Sequence, residues 1–246
     1  MPFSISNVFN RAFDTLGRQF ILLFGTAFVI MGLPSIISYV VVPQFHDDLG
    51  RAFAETPLLV LACGLGYILL YSLNLSVLTE IAISGIARRE FRLAAALGRG
   101  LINMVPLVII GLLSGFAIGL GLLMLIVPGI ILSMALCVTS TAYVAEGGTG
   151  LFASFSRSFH LTENHRWALL GLFIILLVAQ ILLSLIAEAP MALVGQGMAR
   201  PVIGGVTSLI GVVSDVVTIV FNTAIYAALR DAKEGRPAEA TADVFN

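Results

Sequence analysis

The sequence predicts an all-α, polytopic integral membrane protein with six transmembrane helices and amphipathic helices on the cytoplasmic side. Of its 246 residues, 59% are hydrophobic and only 11% are charged, and the mean hydropathy is +1.03. Roughly a quarter of the residues in a soluble domain are charged, so the solvent for most of this chain is lipid. No basic stripe or basic tail is present, which argues against a nucleic-acid partner.

Six apolar runs are long enough to cross the hydrocarbon core, which takes about 20 apolar residues. They predict one transmembrane domain over residues 1–230, with spans at 20–42, 57–79, 102–126, 128–145, 167–187 and 201–229. Residues 231–246 are charged, small and polar, and we expect a disordered cytoplasmic tail there.

The turn between the third and fourth spans follows from a length argument. Residues 100–145 carry no charge, and as one helix they would be about 69 Å long, more than twice the thickness of the core. The chain must therefore reverse. Pro128-Gly129 is the turn signal that leaves both halves long enough, so we place the hairpin there, with Pro128 opening the fourth span.

Basic residues fix the predicted orientation. Two of them, Arg51 and Arg200, fall on one side of the predicted spans. The other eleven fall on the opposite side: Arg11, Arg18, Arg88, Arg89, Arg92, Arg99, Arg157, Arg166, Arg230, Lys233 and Arg236. The positive-inside rule places that side, with both termini, in the cytoplasm.

The segments before the odd-numbered spans share a short pattern. Apolar residues recur at helical spacing over residues 4–19, which predicts an amphipathic helix on the membrane surface, and residues 150–161 show a similar stripe. The stripe of the second segment is Leu151, Phe152, Phe155 and Phe159, with Ser154, Arg157 and Ser158 off it. Arg11, Arg99 and Arg157 each stand in an apolar-x-Arg-small-apolar motif, which suggests three surface helices and a threefold hairpin repeat.

Polar residues at membrane depth are the candidates for a site. Asp215 lies near the middle of the sixth span, where it is either a proton or cation site or a structural hydrogen-bonding group. We expect it to face the bundle interior on a stripe with Ser208, Gly211 and Asn222, opposite Val213, Val217 and Val220. Asn74 is a further candidate. Glu80 and Glu146 are expected near the interface, paired with arginines of the surface helices.

Two features of the sequence predict how the transmembrane helices pack and bend. Gly111, Gly115 and Gly119 recur at every fourth position, a spacing that lets another helix approach closely; a groove for lipid or substrate is the alternative. Pro34 is expected to kink the first span.

Signatures of known enzymes are missing from the sequence. The three histidines, His46, His160 and His165, lie outside the deep parts of the predicted spans, and no HExxH or phosphate-binding loop occurs. His46, Asp47 and Asp48 are close in sequence but are interpreted as a solvated loop. We therefore predict no catalytic residues, no metal and no cofactor.

Residues 127–175 carry a family resemblance. Val127-Pro128-Gly129-Ile130 leads into a span that ends at Glu146-Gly147, and Arg157-Ser158 and Arg166-Trp167 follow. This run resembles the membrane domain attached to some bacterial glycerophosphodiester phosphodiesterases, and its stand-alone relatives. The resemblance implies six helices in a bacterial inner membrane and no settled activity. The six spans account for most of the chain, which leaves no room for the phosphodiesterase domain.

Three functions stay open at this point. The first is a non-enzymatic protein that handles or senses lipid or an amphiphile. The second is a secondary transporter that uses Asp215. The third is a structural subunit that stabilises another membrane protein. The sequence leaves the lipid and the oligomeric state open.

Overall fold

The computed structural model of the chain describes residues 3–42, 48–148, 150–194 and 200–235, and all regular structure within them is helical. Six helical segments are long and apolar enough to cross a membrane, which confirms the predicted fold class. In chain order, spans 1 to 6 are Phe20–Val41, Pro57–Ile86, Leu93–Met124, Ile126–Ala145, Arg166–Val194 and Arg200–Glu234.

Three shorter helices accompany the spans. The N-terminal surface helix is Ile5–Arg18, the Arg157 surface helix is Leu151–Thr162, and a third helix, Leu49–Glu55, leads into span 2. The N-terminal surface helix packs along span 6, which brings the two described ends of the chain to one end of the bundle. We call this the basic end, since ten of the basic residues lie there; the opposite end, with the span 3–span 4 turn, is the hairpin end.

Span 1 holds a π-helical turn, Phe28–Gly32, immediately before Pro34. Proline has no N–H for the helix ladder, and its ring crowds the carbonyl of the preceding turn, so a wider turn relieves the crowding. The disturbance predicted at Pro34 therefore takes the form of a π turn. Gly32 lies in that turn, and a Cβ there would be only 3.2 Å from Val212 Cγ2 of span 6.

Span 3 is one continuous helix from Leu93, so the predicted separate surface helix around Arg99 is wrong. Leucine and alanine over residues 93–97 are strong helix formers, and the short Gly98-Arg99-Gly100 segment that separates them from the apolar run contains no proline. Gly100 then docks this extension on span 2, because a Cβ at Gly100 would lie 2.8 Å from Leu73 Cδ1. Arg99 accordingly belongs to the basic end of span 3.

The turn between spans 3 and 4 is Leu125, three residues before the predicted Pro128-Gly129 turn. Leu125 is extended, at φ −162° and ψ 145°, and span 4 starts at Ile126. Pro128 therefore sits in the first turn of a helix, where its missing N–H has no helical partner to lose. Gly129 is not a turn residue; it lets span 4 lie against Gly121 of span 3.

The buried apolar core lies in the half of the bundle next to the basic end. Its fully buried members come from the N-terminal surface helix, the Arg157 surface helix and the halves of the spans nearest the basic end. Examples are Val8, Leu78, Ile81, Leu161, Leu169, Ile225 and Leu229. Towards the hairpin end, spans 2, 3 and 5 expose most of their apolar side chains. In a membrane these surfaces face lipid or a partner.

Span 6 extends further than its sequence pattern indicated. The helix runs to Glu234, so the first four residues of the predicted disordered tail, 231–234, are helical. They are held there by ion pairs to the N-terminal and Arg157 surface helices. Residues 236–246 lie outside the described part of the chain.

Candidate functional site

Three arginine–carboxylate pairs repeat around the basic end. Arg11 Nη2 lies 2.6 Å from Asp231 Oδ2 of span 6, and Arg99 donates to Glu80 of span 2 through Nε at 2.9 Å and Nη2 at 2.5 Å. Arg157 donates from Nε to Glu146 Oε1 at 2.6 Å, at the end of span 4. Each arginine of the repeated sequence motif thus pairs with the carboxylate of an even-numbered span, which supports a threefold repeat.

Arg157 does more than complete this pattern. Its Nη2 also donates to Glu234 Oε1, so one guanidinium links the end of span 4 to the end of span 6. Tyr226 donates to the same Glu146 Oε1 at 2.9 Å. Burial works against the charge of Arg157, but the hydrogen bonds to Glu234 and Glu146 outweigh it and raise the pKa of the guanidinium. The cation is therefore fixed by two carboxylates.

Two adjacent cavities open beside these pairs. One, of about 400 Å³, lies between spans 2, 4 and 6, and the other, of about 410 Å³, lies between spans 2, 3 and 4. Both are lined by Ile83, Arg89 and Ala145. The first adds Tyr226 and Arg230, and the second adds Arg92 and Arg99; the walls between the charges are largely apolar.

The charge in the cavities is unevenly matched. Arg99 is paired with Glu80, and Arg230 with Glu234 at 3.1 Å. Arg89 and Arg92 are exposed and have no ion-pair partner among the described residues. Since a phosphate or carboxylate accepts two parallel hydrogen bonds from a guanidinium, these cavities are suited to an anionic group.

A second polar group lies deeper, between spans 2 and 6. Asp215 is partly buried and close enough to Tyr67 and Tyr71 of span 2 to interact with them electrostatically. It makes no hydrogen bond or ion pair within the described residues. A carboxylate at mid-bilayer costs at least about 2.5–3.5 kcal/mol on insertion scales. The structure supplies no cation to offset this cost.

The predicted polar stripe of span 6 is correct only in part. Ser208 is buried, while Asp215 and Asn222 are partly buried and Gly211 is exposed. Val220, expected on the opposite, outer face, is fully buried in the core. The interface therefore wraps around more of span 6 than one stripe, because span 6 contacts spans 1, 2 and 5 together.

Asn74 of span 2 is fully buried, and neither its amide nitrogen nor its amide oxygen has a partner among the described residues. A buried unsatisfied polar group costs about 1–3 kcal/mol. By contrast, the polar groups between spans 5 and 6 satisfy one another: Ser214 donates to Gln180 Oε1 at 3.1 Å, and Gln180 Nε2 donates to Thr218 at 3.3 Å.

The glycine stripe of span 3 does not pack against another helix of this chain. A Cβ placed at Gly111, Gly115 or Gly119 would meet nothing within 4 Å. The prediction of close helix packing at these glycines is therefore wrong within the described part of the chain. Gly100 and Gly121 make the close contacts of span 3 instead, since those positions face spans 2 and 4.

Sequence reasoning missed four residues that interact with the candidate site residues. Tyr67 and Tyr71 looked like ordinary aromatic residues of a span, and Asp231 and Glu234 fell in the predicted tail. The sequence signal for the two tyrosines was their i, i+4 spacing, which places them on one face of span 2. Of the sequence triplet His46, Asp47 and Asp48, only Asp48 is described, and it caps the helix Leu49–Glu55 through Arg51 N. Among described residues, no three His, Cys, Asp or Glu side chains are grouped closely enough for a metal ion.

Comparison with known proteins assigns the chain to a family. The model of a family described as "Domain of unknown function (DUF7847)" matches residues 15–232, so the chain belongs to that family. The match covers spans 1 to 5, span 6 except its last two residues, and all three arginine–carboxylate pairs except Arg11. No curated protein and no solved structure matches the chain.

Proposed function

We propose that this family member is a non-enzymatic membrane protein that binds the anionic head group of a lipid or a similar amphiphile in the two cavities at its basic end. The observation that carries the proposal is Arg89, an unpaired cation that lines both cavities. Basic pockets between transmembrane helices on the cytoplasmic side are a recurring form of phospholipid head-group recognition.

The shape and lining of the cavities fit an amphiphile. Each has a volume in the range of small-ligand sites. Arg89 provides charge in both cavities, and Ile83 provides an apolar wall in both. Ile86 and Ala87 extend that wall in the first cavity, and Arg92 adds charge in the second. A ligand that carries both a phosphate and hydrocarbon satisfies both surfaces.

Exposed aromatic side chains at the same end of the bundle are consistent with a position near a lipid interface. Phe13, Phe152 and Trp167 are 60%, 80% and 86% exposed. Tryptophan is enriched where a membrane meets water, because its apolar ring and its N–H suit that layer. The excess of arginine supports a cytoplasmic location for the basic end and for both termini. The resemblance to membrane domains attached to glycerophosphodiester phosphodiesterases agrees with a ligand of the phospholipid class.

Arg89→Gln tests the proposal. It removes the charge common to both cavities, and loss of one charge-assisted hydrogen-bonding group is worth about 1.5–3 kcal/mol, so we expect retention of phosphatidylglycerol to fall at least about tenfold. Native mass spectrometry of protein released from phosphatidylglycerol nanodiscs measures this retention, with phosphatidylcholine nanodiscs as the lipid control.

Arg51→Gln is the matched control, since Arg51 lies at the hairpin end and its ion-pair partner among the described residues is Glu55 of its own short helix. Equal retention by the wild type and Arg89→Gln would contradict the proposal. A protein that co-purifies in fixed ratio, with no bound lipid, would favour a structural subunit instead.

A further inference from the structure

A third, apolar groove of about 260 Å³ runs between spans 1 and 3, on the outer surface of the bundle next to the basic end. Span 1 lines it with Ile21, Gly25, Val29 and Ile30, and span 3 lines it with Leu93 and Leu97. Ile21, Gly25, Val29 and Leu93 are exposed, while Ile30 is buried. The groove is therefore open to the surrounding membrane.

The groove exists because spans 1 and 3 do not pack closely on each other. Among the described residues, span 1 packs on spans 2 and 6, and span 3 packs on spans 2 and 4. Gly25 adds no side chain to the gap, and a Cβ at that position would meet nothing within 4 Å. A larger side chain at position 25 would therefore enter the groove.

The length of the groove matches one leaflet of a bilayer. Ile21 and Ile30 are nine residues apart, which is about 13 Å along a helix. Half of the hydrocarbon core is about 15 Å thick, whereas a transmembrane helix of a partner would make contacts over the full core of about 30 Å. The length of the groove thus favours an acyl chain over a partner helix.

The groove begins next to the second cavity of the basic end. Arg92 lines that cavity and Leu93 lines the groove, and consecutive Cα atoms are about 3.8 Å apart. Arg92 is exposed and has no ion-pair partner among the described residues, so its guanidinium is available to a phosphate. One molecule can therefore place a head group in the cavity and a chain in the groove, across the start of span 3.

The charges of the second cavity balance one phosphodiester. Glu80 and Arg99 neutralise each other. Arg89, Arg92 and Glu90 also line this cavity, and they form no ion pair within the part of the chain that the structure describes. Two arginines and one glutamate leave one positive charge, which a lipid head group with one net negative charge neutralises.

We propose that one acyl chain of an anionic phospholipid of the cytoplasmic leaflet lies in the groove between spans 1 and 3, while its phosphodiester is held at Arg92. This inference rests on the proposed function, and it names the ligand as a membrane phospholipid and not a soluble anion. The cavity recognises the head group, and the groove selects a molecule that carries a chain.

Photolabelling in phosphatidylcholine nanodiscs tests the proposal. Trace phosphatidylglycerol with a diazirine in the middle of one acyl chain should label residues 21–30 and 93–97, mapped by peptide mass spectrometry, and unlabelled phosphatidylglycerol should compete. Gly25→Leu fills the groove and removes the packing contacts of the chain, so we expect this labelling to fall at least about threefold. Arg92→Gln removes the link to the head group and should lower it as well.

Gly171→Leu is the matched control. Gly171 lies five residues into span 5, as Gly25 does in span 1, and a Cβ there also meets nothing within 4 Å. This variant should be labelled in the groove as the wild type is. Should Gly25→Leu fail to fold, Val29→Trp, at the exposed rim of the groove, replaces it.

Equal labelling of the groove by phosphatidylglycerol and phosphatidylcholine probes would overturn the proposal, because it would show only the lipid that surrounds any span. Labelling unchanged in Gly25→Leu and Arg92→Gln would overturn it too, as would no labelling there, the result expected if a partner helix covers the groove. Retention of phosphatidylglycerol by Arg89→Gln is measured separately. If that retention still falls, the head-group site stands and the chain site alone fails.

Discussion

Arg157 shows why the residue type matters at the basic end. The planar guanidinium can donate in two directions at once, and it uses Nε for Glu146 and Nη2 for Glu234. A lysine could supply the charge but not this fixed fork. One side chain thereby ties the Arg157 surface helix to the ends of spans 4 and 6.

Arg157→Gln should lower the stability of the folded bundle. It leaves Glu146 and Glu234 without their shared partner, and hydrogen bonds to charged groups contribute about 1.5–3 kcal/mol each. We expect a clear decrease in the melting temperature in detergent, measured by intrinsic fluorescence. Arg51→Gln removes an exposed i, i+4 pair worth about 0.3–0.5 kcal/mol and should leave the melting temperature nearly unchanged. Similar effects of the two changes would show that the Arg157 network does not support the fold.

At the scale of helices, the Arg157 surface helix buries small polar residues and exposes an aromatic one, the reverse of a helix on the surface of a soluble protein. Its serines Ser154 and Ser158 are buried, and Ser158 donates to the carbonyl of Ala135 in span 4 at 2.7 Å. Its aromatic residue Phe152 points outward. In water this would be unfavourable, but in a membrane the small polar face packs closely and the aromatic face meets lipid. The stripe predicted from periodicity is divided between two surroundings: Phe152 and Phe159 are exposed, while Leu151 and Phe155 pack against a buried cluster of spans 3 and 4.

The hairpin of spans 3 and 4 depends on two glycines, Gly121 and Gly129, at which the two helices are in close contact. A Cβ at Gly129 would lie 2.5 Å from Leu122 Cγ and 2.7 Å from Leu122 N, so the clash involves backbone and not only a flexible side chain. At Gly115 of the same hairpin a Cβ would meet nothing within 4 Å.

Gly129→Ala should therefore destabilise the hairpin, by about 1–3 kcal/mol as is typical of overpacking. Gly115→Ala should be neutral or slightly stabilising, because alanine is the better helix former by about 1 kcal/mol. Melting temperatures of the two variants in the same detergent give the comparison. If Gly115→Ala is the more damaging change, the glycine stripe of span 3 contacts something that this chain alone does not provide.

At the scale of the whole molecule, packing is concentrated at the basic end. The core is enclosed by the N-terminal surface helix, the Arg157 surface helix and the halves of the spans nearest the basic end. Among the described residues, the halves near the hairpin end are joined by the contacts of span 1 with span 6 at Gly32 and Gly204 and by those of the hairpin.

The orientation of the molecule leads to a labelling prediction. The basic end should face the cytoplasm, and Leu125, exposed in the span 3–span 4 turn, should be reachable from outside. In a background with Cys63 and Cys137 replaced by alanine, Leu125→Cys should react with an impermeant thiol reagent added to intact cells. His160→Cys, on the Arg157 surface helix, should react only after the inner face is opened. The reverse pattern would invert the topology.

The sequence by itself determined the number of spans, the shared end of the first and last described helices, and the pairing of Glu80 and Glu146 with arginines. These features follow from local physics. A run of about 20 apolar residues is costly to keep in water wherever it packs, and an acid and a base at interface depth attract each other when neighbouring helices bring them together.

The tertiary structure alone decided which residues of each span face protein. The close helix contacts are made at Gly121 and Gly129 and not at Gly111, Gly115 and Gly119. The turn lies at Leu125, and Arg99 belongs to span 3. The tertiary structure also brought Tyr67 and Tyr71 within electrostatic range of Asp215, and it put Arg89 between two cavities. The physical reason is that lipid tails are as apolar as leucine. Hydropathy therefore marks what lies in the membrane but does not distinguish a face that meets lipid from a face that meets another helix.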